Sequence, residues 1–162
     1  MKTLFALAAF VTLTYAGMSR ALSMAKRISV LRALASDIKR LDDEMSYKRL
    51  PLKSLLSIKP FLLPDFWQSA LDELNLGATA QKAFERAVAS DAVRVLVSGE
   101  RAVLMDYLAM LGHTHLSGQN ENAKNAVKRL EQLADTLEKR RHGGLYAQLG
   151  IFSGLAAALI LI

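Results

Sequence analysis

From Gly143 to Ile162 the chain reads Gly-Gly-Leu-Tyr-Ala-Gln-Leu-Gly-Ile-Phe-Ser-Gly-Leu-Ala-Ala-Ala-Leu-Ile-Leu-Ile, without one charged side chain. As a helix rising about 1.5 Å per residue, this stretch extends roughly 30 Å, the thickness of a bilayer's hydrocarbon core. It has no polar side, so a water-soluble domain has nowhere to bury it; it reads as a membrane span. Residues 3–19 are likewise free of charge. The expected organisation is an N-terminal anchor over 1–19, a central domain over 20–142 and a C-terminal transmembrane helix over 143–162.

Charge placement orients this arrangement. The 162 residues carry 21 Lys and Arg against 15 Asp and Glu, a formal net charge of +6. Apart from Lys2, every basic residue lies between the two uncharged stretches. Arg20, Lys26 and Arg27 follow the first, and Lys139, Arg140 and Arg141 precede the second. Basic residues near span ends stay on the cytoplasmic side, so the central domain is expected in the cytoplasm with both ends across the membrane. The same residues suit an anionic leaflet, at about 1 kcal/mol per Lys or Arg. The basic balance therefore reads as topology and lipid bilayer contact, with no nucleic acid partner. With no cysteine, the chain forms no disulfide and no thiolate metal site.

The first stretch has a competing reading as a cleavable signal peptide. Lys2, an apolar run from Leu4 to Leu13 and the small-residue site around Thr14-Tyr15-Ala16-Gly17 fit that pattern. Cleavage would leave an extracytoplasmic helical domain, a sensor or adhesin-like module, held by the C-terminal span. Arg20, Lys26 and Arg27 directly after the site oppose translocation and favour an uncleaved anchor.

Between the ends, the hydrophobic pattern is helical throughout. Met24, Ile28, Leu31, Leu34 or Ala35, Ile38, Leu41 and Met45 recur at steps of three and four, predicting a long helix over 19–47. Leu50-Pro51 ends it. Short helices are expected over 52–58 and 64–74, the second with Pro64 and Asp65 in its first turn and Gly77 as terminator. Phe61, Phe66 and Trp67 concentrate aromatic bulk there and read as core. Thr79 is placed to cap a helix over 79–89, Glu100–Leu111 forms another, and Gly112–Gly118 is a polar turn. A last amphipathic helix over 119–141 carries Ala123, Val127, Leu130, Leu133, Ala134 and Leu137. No strand pattern or repeat appears. The fold class is all-α, an antiparallel helical bundle flanked by two transmembrane helices.

Chemistry-bearing constellations are scarce. His113 and His115 sit in a polar turn without further metal ligands, and no phosphate loop, HExxH, GxSxG or Cys-His arrangement occurs. No cofactor, metal or catalytic residue is expected. Asp42, Asp43 and Glu44 form an acidic cluster late in the first long helix, read as a solvated face or as a salt-bridge partner of the basic last helix. In the C-terminal stretch, Ala147, Gly150, Gly154 and Ala158 place small residues at helical spacing, allowing close packing against another membrane helix.

With the helices placed, the sequence resembles the stage III sporulation protein AB family over nearly its whole length. The resemblance rests on Glu44-Met45-Ser46-Tyr47 followed by Leu50-Pro51-Leu52, on Ala83-Phe84-Glu85-Arg86-Ala87, and on Leu111-Gly112 with Gln119 seven residues past that glycine. The chain departs from the family in having Thr114-His115 where a Ser-Asp pair is usual. The resemblance implies a non-enzymatic subunit of the channel complex joining mother cell and forespore, similar to the cytoplasmic helical domain of type II secretion platform proteins. It also implies a cytoplasmic secretion-type ATPase and other membrane subunits of the channel as partners, and a mother-cell membrane location. Candidate contact residues are Asp42, Asp43 and Glu44, with Gly112 and Gln119 at the ends of the turn, because loops and exposed polar faces carry contacts disproportionately.

Overall fold

A computed structural model describes residues 2–48, 50–57, 60–111 and 116–160; among these, the side chains of 2–11, 13, 14, 16, 116, 117 and 144–160 lie outside the description. Among the described residues six α-helices follow one another: α1 (Lys2–Lys48), α2 (Leu52–Leu56), α3 (Pro64–Asn75), α4 (Ala80–Ala89), α5 (Ser98–Met110) and α6 (Leu116–Ile160). A single 3-10 turn over Asp91–Val93 joins α4 to α5. The described residues contain no strand.

The helices close a ring. α1 pairs with α6 along most of the bundle, α6 meets α5, and α5, α4, α3 and α2 lead back to α1 in sequence order. The stripe expected on α1 faces the centre: Ile28, Leu31, Leu34, Ala35, Ile38 and Leu41 are all buried, and Met45 is half-buried. Ala123, Leu130, Ala134 and Leu137 of α6 meet it, with Phe66, Trp67, Phe84, Leu104 and Leu108 filling the far side. Trp67 is the aromatic hub. Its ring centroid lies 5.1 Å from Phe61, 4.9 Å from Phe66 and 6.4 Å from Phe84, offset-stacked or edge-on geometries that favour aromatic pairs. The aromatic cluster is core, as its sequence context implied.

Helix ends follow their local chemistry. The Thr79 hydroxyl accepts from Lys82 N–H at the start of α4. At the end of α3, Ala78 N–H reaches Glu73 C=O and Gly77 N–H reaches Leu74 C=O, while Gly77 adopts φ +87°. That is the Schellman stop, which needs a left-handed residue. α1 runs unbroken from Lys2, so the helix expected over 19–47 is continuous with the residues before it, and α6 leads through Gly143-Gly144 to Ile160; α6 differs from expectation in beginning at Leu116, inside the turn expected over 112–118. The isolated helix penalty of those glycines, about 1 kcal/mol each, is too small to break a 45-residue helix.

Antiparallel pairing of α1 and α6 is fixed by side chains. Arg32 of α1 donates to Glu138 at 2.5 Å and to Asp135 at 3.4 Å. Ten residues further along α1, Asp42 feels the charge of Lys124, which precedes Asp135 on α6, so advancing along α1 means retreating along α6. Among the described residues no helix is long and apolar enough to cross a membrane. The expected spans over 1–19 and 143–162, including Ala147, Gly150, Gly154 and Ala158, fall almost wholly on residues whose side chains lie outside the description.

Candidate functional site

The C-terminal end of α1 and the start of α6 frame an open cleft of about 740 Å³, lined by Arg40, Asp43, Glu44, Ser46, Tyr47, Lys48 and Asn120. It lies at the end of the bundle opposite Lys2 and Ile160. α1 supplies most of its wall over 40–48, the last turns before the chain turns away at Leu50-Pro51 into α2.

Helical geometry separates the acidic triplet. Successive residues turn by about 100°, so Asp42, Asp43 and Glu44 do not share a face. Asp42 points inward and is buried, Asp43 is exposed, and Glu44 is half-buried and paired with Lys48 at 2.6 Å, one turn along α1. A uniformly solvated acidic face is therefore not what the chain builds. Asp42 sits near Tyr107 of α5 and Lys124 of α6. Burial, then the neighbouring Asp43, push its carboxyl above the ordinary range, while Lys124 pulls the other way. Tyr107, also buried, has its hydroxyl pushed well up, first by burial and then by Asp42. The salt bridge to the basic last helix, one of the two readings of this cluster, does not form among the described residues; Lys124 acts on Asp42 only through its charge.

Tyr47 is the cleft's most unusual wall. A tyrosine at the end of a core helix exposes 88% of its surface, and it stands out of phase with the buried stripe of α1. Beside it, Arg40 donates to the Pro60 carbonyl and lies 6.0 Å from the Phe61 ring centroid, holding the 60–63 segment against α1. The cleft thus offers an aromatic ring, one free-standing carboxylate at Asp43 and an ion pair at Glu44–Lys48. This is the composition of a contact surface, where aromatics and Arg carry most binding energy.

Of the other expected contact residues, Gln119 is half-buried next to Asn120, and Gly112 lies outside the described residues, as do His113 and His115. Sequence reading picked Asp43 and Glu44 but passed over Arg40, Tyr47, Lys48 and Asn120. The available signal was the phase of Tyr47, which falls off the three-four stripe. Among the described residues no group of His, Cys, Asp or Glu is arranged to hold a metal ion.

Two further carboxylates are buried and were not singled out by sequence. Asp37 accepts from Leu62 N–H at 2.8 Å, Leu63 N–H at 3.0 Å and Trp67 Nε1–H at 2.9 Å. It supplies partners at the start of α3, whose N-cap residue Leu63 has no side-chain acceptor. Glu100 accepts from Arg27 at 2.5 Å and from Val97 N–H at 3.0 Å, capping α5 while tying it to α1. Both act as structural ties.

Among the described residues the chain is an all-helical bundle with a polar cleft at one end. The chain belongs to the stage III sporulation protein AB family: the model of that family, described as "Stage III sporulation protein AB", matches residues 2–162. Among solved structures, a chain titled "Stage III sporulation protein AB (SpoIIIAB)" is similar at TM-score 0.62 and 21% identity, covering 73% of this chain and 98% of its own. At that identity the likeness shows the fold. Among curated proteins, none matches this sequence.

Proposed function

We propose that this sporulation-family chain is a non-enzymatic platform subunit of the channel complex between mother cell and forespore. Helices over 1–19 and 143–162 anchor it in the mother-cell membrane, and the central bundle stands in the mother-cell cytoplasm. The membrane-distal cleft docks a cytoplasmic secretion-type ATPase, while the spans pack with other membrane subunits. The reading is carried by the antiparallel pairing of α1 and α6, which sends both uncharged stretches out of one end of the bundle and leaves the Asp43–Tyr47 cleft at the other. A domain built this way presents its contact surface away from the bilayer. Basic residues on the bundle side of both uncharged stretches, after the first and before the second, support the cytoplasmic orientation.

Two experiments test it. The absence of cysteine allows Ser57→Cys, an exposed position, to be probed in intact cells with a membrane-impermeant thiol reagent. Protection until lysis is expected; labelling in intact cells would place the domain on the other side and remove the platform reading. For the cleft, Asp43→Lys and Tyr47→Ala each alter an exposed side chain. Each should weaken co-purification of the complex's ATPase with circular dichroism unchanged. Undiminished co-purification in both variants would clear the cleft of that role.

A further inference from the structure

On α1, Tyr15, Met18 and Leu22 expose 78%, 65% and 62% of their surfaces. Their spacing of three and four puts them on one side of the helix, away from the buried Gly17 and Ile28. No described side chain of the bundle covers this stripe, and it continues the uncharged stretch of 3–19 past its first charge, Arg20.

We infer that this face lies in the lipid bilayer, and that the first membrane span runs to Leu22. The inference rests on the two-span reading above and moves its boundary. Register supplies the main reason. Arg32 pairs with Asp135 and Glu138, so moving about ten residues down α1 to Leu22 moves about ten along α6, to the level of 145–148. Leu22 is thus level with the opening of the uncharged stretch that begins at Gly143. Tyr146 falls at the same level, where aromatic residues collect at membrane interfaces. Lys26 is level with 141–144, where Arg141 and His142 close the charged part of α6. A boundary at Ser19 would lie level with 148–151, about 10 Å along α6 from Gly143; a boundary after Leu22 cuts that offset to about 5 Å.

Length agrees. Leu4–Leu22 extends about 28 Å, against about 24 Å for Leu4–Ser19 and a hydrocarbon core of about 30 Å. Arg20 sits within a turn of the new boundary and is exposed; its long side chain reaches the headgroups from there. Exposed Arg20, Lys26, Lys139 and Arg140 then form a basic collar on the headgroup side of that plane, favourable toward anionic lipid.

Single nitroxide labels test the boundary in the full chain, reconstituted in vesicles of phosphatidylethanolamine and phosphatidylglycerol. The variants are Tyr15→Cys, Met18→Cys, Leu22→Cys and Lys26→Cys, all at exposed positions, with relaxation by oxygen compared with relaxation by a water-soluble nickel chelate. The expected result is a several-fold higher oxygen-to-nickel ratio at 15, 18 and 22 than at 26. High ratios at 15 and 18 with a nickel-accessible 22 would return the boundary to Ser19 and overturn this inference alone. Nickel access at 15, 18 and 22 together would overturn the two-span reading itself. Shielding of 22 from both reagents would mean that protein, such as a second copy, covers the stripe, and would overturn the lipid assignment.

Discussion

Asp37→Ala should be among the most damaging single changes in the bundle. The carboxylate is 1% exposed and satisfies three donors: two successive backbone N–H groups ahead of α3 and the indole of Trp67. Removing it strands all three. A buried donor left without a partner costs about 1–3 kcal/mol. Leu62 is exposed, so its N–H recovers water, while the Trp67 indole, buried in the aromatic hub, does not. The expected loss is about 3–5 kcal/mol, a large share of the roughly 5–15 kcal/mol that holds a domain folded. Asp37→Asn keeps one acceptor oxygen and turns an NH₂ toward the remaining donor, so it should cost less, about 1–3 kcal/mol. Urea unfolding of the full chain in detergent, followed by circular dichroism, measures both. Trp67 is the single tryptophan, so its emission also reports directly on the site and should shift red in the alanine variant. A loss under about 1 kcal/mol with unchanged Trp67 emission would refute the assignment of Asp37 as the tie between α1 and the 60–63 segment.

Glu100→Ala leaves the Arg27 guanidinium half-buried and unpaired and uncaps α5; breaking a buried pair this way costs about 3–5 kcal/mol, read as a lowered unfolding midpoint, whereas Arg27→Met with Glu100→Leu should recover most of it. Asp42→Asn is expected to stabilise the chain at neutral pH. The folded carboxyl titrates above its ordinary 3.8, so the native state holds the proton more tightly, and stability falls as pH rises from the unfolded value through the folded one. The gain from Asn should therefore be present above that window and vanish in acid, as denaturation midpoints at pH 7 and pH 3 would show. Gly77→Ala meets no atom within 4 Å, so its cost is conformational alone, about 1 kcal/mol for a left-handed residue, measurable by thermal melting.

Much of the architecture was legible because periodicity survives without knowledge of partners. The α1 stripe, the Thr79 cap and the Gly77 stop depend on residues within a turn of one another, and each falls where its spacing predicts. Asp37 and Glu100 were not legible for the opposite reason. The partners of Asp37 lie 25 to 30 residues away, and the Arg27 that neutralises Glu100 lies 73 away; a charged residue in a helix pattern is read as facing water until such a long-range donor is known. The acidic triplet failed differently: adjacency in sequence was taken for adjacency in space, whereas the helix turns Asp42 into the core and Asp43 out of it. The 3-10 turn at Asp91–Val93 carries no hydrophobic period at all.

The pairing of α1 with α6 has a consequence for how the chain folds. Arg32 and Glu138 are 106 residues apart, so this contact cannot form until synthesis has passed Glu138. Closing a loop of that size costs about 2 kcal/mol more than closing one of ten residues. The neighbouring pairs α3–α4 and α4–α5 close over short turns, so they are expected to assemble first, leaving the apolar stripe of α1 open until α6 arrives. Insertion of both ends into one bilayer, as proposed above, would confine them to a plane and aim them the same way. The membrane would then act as the template for the last step of folding, and chains whose second span fails to insert should accumulate with the inner face of α1 uncovered.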